Sequence, residues 1–176
     1  MSVSDRALGW FHTALDMVSP AVPADAHCDI PCGIYEPHTA QIAALTVIRM
    51  DQLIGELARP AEGAPAEAHA KYHSQFARYV RVKEIHSDRC ETELTTLWGD
   101  YFNAELRKKF PELEERFWKA VQAVSKARQS VVLADAQELL SQVQGIAELF
   151  WQSKGVSTRK VPSTYKTGGE IVVPAG

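Results

Sequence analysis

Between the loop prolines before it and Gly99, the stretch from Glu67 to Trp98 is the longest periodic segment of the chain: Tyr72, Phe76, Tyr79, Lys83, His86, Cys90, Leu94 and Leu97 recur every three or four positions. That spacing lays them on one side of a helix, as the seam of a bundle does. Three further segments carry the same period. Glu36-Pro37 opens the first, with proline at the first helical position and an acid beside the positive end of the dipole; Ile42, Leu45, Ile48 or Arg49, Leu53 and Leu57 continue it to about Ala58. Pro111 opens another, with Glu112, Glu114 and Glu115 in its first turn and a stripe of Leu113, Phe117, Val121 and Val124. The last runs from about Leu133 to Ser153, where Ala136, Leu139, Leu140, Val143, Ala147, Phe150 and Trp151 line one face.

Pro60, Gly63 and Pro65 mark a loop, and Gly99 to Lys109 is a connection with room for a helical turn. The interior has no alternating strand pattern and no repeat. The expected fold is all-α, an antiparallel up-down four-helix bundle over residues 36–154. With 176 residues, 45% of them hydrophobic and 23% charged, the chain has the balance of one ordinary globular domain. A net charge of -3 with no long single-sign run gives nucleic acid or an anionic membrane no purchase. No window approaches the roughly 18 apolar residues of a membrane span.

Both ends differ from the bundle. From Gly155 to Gly176, the residues Ser157, Thr158, Pro162, Ser163, Thr164, Gly168, Gly169 and Pro174 read as a flexible carboxy-terminal extension. Ile171-Val172-Val173 is the segment of it able to pair as a short edge strand. At the other end, Ala7, Leu8, Trp10, Phe11, Leu15 and Val18 form a short amphipathic pattern stopped by Pro20 and Pro23, and Ala24-Asp25-Ala26 has the small-x-small form of a processing site. His12 and Asp16 interrupt the apolar run, which argues against a secretory signal peptide.

The run His27-Cys28-Asp29-Ile30-Pro31-Cys32-Gly33-Ile34-Tyr35 carries the chemistry. Two thiols and an imidazole this close together form a metal site or a redox pair. If the chain is cut between Ala26 and His27, the new amine, the Cys28 amide nitrogen and the Cys28 sulfur close two fused five-membered chelate rings. These are near planar and suit Cu(II) or Ni(II) better than tetrahedral zinc. Cys32 returns as a fourth in-plane donor if the chain turns at Pro31 and Gly33, and the His27 ring stays free to bind axially. The competing reading of Cys28 and Cys32 is a small disulfide loop. Cys90 lies in a helical pattern and reads as a buried small hydrophobe.

HCDIPCGIY resembles the nickel-binding hook of nickel superoxide dismutases, His-Cys-Asp-x-Pro-Cys-Gly-x-Tyr, at every specified position. LWGDYF (Leu97 to Phe102), KFPEL (Lys109 to Leu113) and LFWQSK (Leu149 to Lys154) are similar to later sequences of that family. The resemblance spans His27 to about Lys154. It implies a propeptide, residues 1–26, removed by a maturation peptidase; a nickel hook, residues 27–35, with His27, Cys28 and Cys32 as metal ligands; a homohexamer of four-helix bundles; and a cytoplasmic location. The activity implied is disproportionation of superoxide to dioxygen and hydrogen peroxide through a Ni(II)/Ni(III) cycle. Tyr35 and Asp29 are the residues implied at the catalytic centre, Tyr35 as a phenol over the open face of the metal and Asp29 as a hydrogen-bonding brace of the hook. Tyr101, with Trp98, is expected to pack beneath the hook.

In family members a glutamate on the first helix and an arginine on the second brace the hook imidazole, and Ala43 and His86 stand at those positions here. His86 is therefore a candidate brace of the His27 ring. His69 and His73, four apart on a helix, lack an evident third ligand and read as solvated. Two other function classes remain open: a nickel or copper carrier without catalysis, and an exported helical bundle whose cysteines pair as a disulfide.

Overall fold

The computed structural model describes residues 33–175, so the leader, residues 1–26, and His27, Cys28, Asp29 and Cys32 lie outside the described residues. The described part is mostly helical. Its helices are α1 (His38–Glu56), α2 (Ala66–Thr96), a short α3 (Ala104–Lys109), α4 (Leu113–Gln129) and α5 (Leu133–Ser153), followed by strands β1 (Thr158–Pro162) and β2 (Glu170–Pro174). The chain packs α1 against α2 and α5, and α4 against α5 and α2, so each of the four long helices has two helical neighbours.

The expected stripes face this core. Ala136, Leu139, Leu140, Val143, Ala147 and Phe150 of α5 are buried, as are Leu113, Phe117 and Val124 of α4, while Trp151 and Val121 are half-buried. On α2 the seam divides: Cys90 and Leu94 are buried with Lys83 and Ser87, whereas Tyr72, Phe76 and Tyr79 stay half-buried. Length explains it. With 31 residues to the 19 of α1, α2 extends further by about 1.5 Å for each extra residue, and its first turns lack a helix of equal length to cover them.

At its end α2 passes into a π-helical turn, Leu97–Tyr101, closed by the Phe102 N–H donating to the Leu97 carbonyl at 2.9 Å. The wider turn aims Phe102 into the core, fully buried, and keeps Tyr101 at its edge. Asn103 then caps α3, its side-chain oxygen accepting from the Glu105 and Leu106 N–H groups.

The carboxy-terminal extension, whose composition reads as flexible, forms a β-hairpin. β1 and β2 pair antiparallel, Thr158 opposite Pro174 and Lys160 opposite Val172, through a turn in which Gly168 and Gly169 both adopt positive φ. The strand reading of Ile171-Val172-Val173 is the one that holds. The hairpin is ordered because helix side chains complete it: Gln41 of α1, fully buried, donates to the Val172 carbonyl at 3.1 Å and accepts from the Val172 N–H at 2.7 Å. Gln144 of α5 donates to the Glu170 carbonyl at 2.7 Å, and Gln52 of α1 to that of Thr167 at 3.2 Å. The fold is thus helical with an added β-hairpin rather than all-α.

Gln41→Leu is expected to release this hairpin while sparing the helices. It strands two buried backbone groups of Val172, at about 1–3 kcal/mol each. Hydrogen exchange checks it: the amides of 158–174 should lose protection while those of α4 and α5 keep it, and unchanged protection of the hairpin would refute the clamp.

Candidate metal centre

The described part of the hook is its end. Gly33 adopts φ 90°, which glycine accepts without a Cβ clash, and Ile34 is 72% exposed. Tyr35 then turns inward to half-burial, and Pro37 is buried at the start of α1. Tyr35 meets Tyr101, ring centroids 5.6 Å apart at a tilt of 56°. Tyr101 in turn lies 4.6 Å from the Phe150 ring and 4.9 Å, edge-on, from that of Phe102. Four aromatic rings from the hook, the π-turn and α5 therefore form one platform.

Tyr101 packs against Tyr35, the described end of the hook, and the hook residues before Gly33, which the reading of Trp98 also concerns, lie outside the described residues. Trp98 lies 5.2 Å from Phe117, the rings tilted by 47°, with the Arg107 guanidinium 4.0 Å over its ring and donating to its carbonyl at 2.6 Å. At the platform's edge the Lys154 ammonium lies 4.8 Å from the centre of Phe150 and 5.6 Å from that of Tyr101. The Tyr101 hydroxyl is 2.6 Å from Ser153 Oγ, a partner that residue spacing gave no reason to single out.

Ala43 is buried in the α1 seam. His86 is half-buried on α2, its Nδ1 without a hydrogen-bond partner among the described residues. Burial, with the Arg89 charge adding to it, holds the His86 imidazole below its usual value. His69 and His73 line a shallow surface groove with Tyr72 and Phe76. Among the described residues no three His, Cys, Asp or Glu side chains gather as a metal site.

Cys90 is a free thiol with no exposed surface, its Sγ 3.7 Å from the Ala40 carbonyl. Burial first, then the charges of Glu93 and Glu91, push it up to about 12 against the pull of Arg128, so it stays protonated and serves as packing.

A mostly helical scaffold preceded in sequence by two thiols and an imidazole is the pattern of a helical metalloprotein. Comparison with known proteins identifies which. Residues 22–154 match the family model described as nickel-containing superoxide dismutase. The chain is 31% identical over 138 residues to "Superoxide dismutase [Ni]" of Streptomyces seoulensis, covering 78% of this chain and 95% of that protein. To the protein of the same name from Streptomyces coelicolor it is 30% identical, over the same shares. The crystal structure of a nickel-containing superoxide dismutase in the oxidised state superposes with a TM-score of 0.61 at 31% identity, over 73% of this chain and 99% of that one. A native nickel superoxide dismutase structure gives 0.61 at 28% identity, again over 73% and 99%. The chain belongs to the nickel-containing superoxide dismutase family. The hairpin lies beyond the matched residues.

Proposed function

We propose that this chain is a nickel-dependent superoxide dismutase, and that His27, Cys28 and Cys32 hold the metal. The observation that carries the reading is the unbroken HCDIPCGIY run inside the family match. Nickel, when bound, supplies the Ni(II)/Ni(III) couple by which one superoxide gives up an electron and leaves as dioxygen and a second takes up an electron and two protons and leaves as hydrogen peroxide.

The donor set fits that ion. Thiolates and a deprotonated amide are strong, negative donors that favour a higher oxidation state, and the fused chelates of His27 and Cys28 suit square-planar ligation. Only cleavage behind Ala26 turns the His27 nitrogen from a peptide amide into an amine. Residues 1–26 are thus a propeptide, and a maturation peptidase is a partner. The Asp29 carboxylate braces the hook by accepting backbone N–H groups. Tyr35, anchored by Pro37 and backed by Tyr101, limits access and orders water at the site.

Helices α1, α2, α4 and α5 make an antiparallel four-helix bundle, a reading supported by their ring of contacts. The bundles assemble as a homohexamer in the cytoplasm. Apolar surface supports the assembly: Trp118 is 65% exposed beside a groove of about 590 Å³ lined by Leu94, Trp98, Phe117 and Val121.

The test is superoxide turnover by two mass-verified preparations, one beginning at His27 and one retaining residues 1–26, each offered nickel. Turnover is expected only from the first. Full activity with the leader in place would overturn the mechanism, and tight nickel binding without turnover by the processed chain would make the protein a metal carrier.

A further inference from the structure

Where α5 ends, three oxygens stand in a row. Tyr101 Oη lies 2.6 Å from Ser153 Oγ, and Ser153 Oγ lies 2.7 Å from the carbonyl oxygen of Phe150. A carbonyl has no proton to give, and a serine hydroxyl has one. Two oxygens at 2.7 Å without a proton between them would repel, so Ser153 donates to Phe150, the back-bond that serine makes to the preceding turn. Helix geometry agrees: the Lys154 N–H, which would continue the helical ladder to Phe150, bonds to the Trp151 and Gln152 carbonyls instead. The Ser153 proton being committed, the 2.6 Å contact is a bond in which Tyr101 donates and Ser153 accepts.

Tyr101 cannot easily turn its ring away from this bond. Phe102 and Phe150 flank it at 4.9 and 4.6 Å, and Tyr35 lies at 5.6 Å. With its single proton spent on Ser153, the Tyr101 oxygen retains only lone pairs for any other partner. The chain of donation runs inward and ends on a backbone carbonyl, from which no proton can be passed on.

The geometry points to Ser153 as a positioning residue for the dismutation: it makes Tyr101 an acceptor only, so that Tyr101 holds the hydroxyl of Tyr35 in place and does not itself protonate the departing peroxide. This rests on the proposed activity for its role in turnover, but the hydrogen-bond direction can be measured without it. The two protons taken up per cycle then come from Tyr35, from water or from the hook.

The test labels the five tyrosines at the phenolic carbon, whose NMR resonance follows whether the hydroxyl donates or accepts, with single Tyr→Phe changes for assignment. Wild type, Ser153→Ala and Ser153→Thr are compared in the full-length chain without metal. Ser153→Ala frees the Tyr101 proton to turn toward Tyr35, so the Tyr101 and Tyr35 resonances should both move; Ser153→Thr, which keeps the hydroxyl, should leave both near their wild-type positions. A Tyr35 resonance unmoved by Ser153→Ala overturns the inference. In processed, nickel-loaded enzyme, Ser153→Ala should lower kcat/KM by roughly two- to tenfold, the worth of one hydrogen bond, and alter its pH profile, with Ser153→Thr restoring both. A pH profile identical in all three proteins would reduce Ser153 to a helix end. Absence of turnover in loaded wild type would instead fail the functional reading, with the spectra still deciding the hydrogen bond.

Discussion

Serine in place of Cys28 or Cys32 is expected to abolish dismutation by processed protein offered nickel while leaving the helices folded. A serine hydroxyl stays protonated at neutral pH and is a hard, weak donor, so it can neither replace a thiolate as ligand nor favour the higher oxidation state. The helices should survive because the buried hydrophobic residues of the described chain run from Ala40 to Val172 and form their core without help from the hook. Helical circular dichroism, nickel content and superoxide turnover are the measurements. Substantial nickel-dependent turnover by either variant would remove that sulfur from the ligand set. Cys90→Ala is the control: a protonated, fully buried thiol should cost on the order of 1 kcal/mol of stability and no activity.

The helices were legible because a 3.6-residue period is a property of local sequence. The proposed α5 bounds, Leu133 to Ser153, match the observed helix, and α2 begins one residue before the expected Glu67. What local sequence could not carry was pairing with distant partners. TRKVP and EIVVP are short and separated by a glycine-rich turn, and only the Ile171-Val172-Val173 run of the second marks itself as a strand. Their order comes from Gln41 and Gln144, which on a helical wheel read as ordinary polar positions.

The site divides the same way. HCDIPCGIY pointed to a metal because its candidate donors are adjacent in sequence, and the contact of Tyr101 with Tyr35 followed from the LWGDYF block. Ser153 escaped notice because its importance lies in a contact across 52 positions. At His86 the structure leaves a buried Nδ1 that is unpaired among the described residues.

Lys83 sits in the α2 seam where an apolar residue is expected, and Lys83→Met should be the most destabilising single change among the described residues singled out above. Its ammonium is buried 2.7 Å from Asp51 Oδ1 on α1 and also donates to the Ser130 carbonyl at the end of α4. Ser130 in turn donates through its hydroxyl to Asp135 at 2.8 Å, and Lys126 pairs with the same carboxylate at 2.8 Å. One buried cation thus ties α1 and α2 to the turn between α4 and α5. Methionine keeps the aliphatic stem but leaves the Asp51 carboxylate buried without a counter-charge, a loss of about 3–5 kcal/mol.

The pH dependence of that loss identifies its cause. Burial raises the Asp51 carboxyl above its ordinary value; the Lys83 hydrogen bond and charge pull it back, and Asp135 pushes it up. Without Lys83 the folded-state value rises further above the unfolded one, so the variant's stability is best below the unfolded carboxylate range and is lost as pH rises through the folded value. The deficit against wild type, measured by denaturant unfolding, should therefore be largest near neutral pH and shrink in acid. An equal deficit at every pH would mean that packing, not the stranded carboxylate, sets the cost. Asp51→Leu combined with Lys83→Met removes both charges and should regain most of the stability, short of the roughly 1–3 kcal/mol left by the unpaired Ser130 carbonyl.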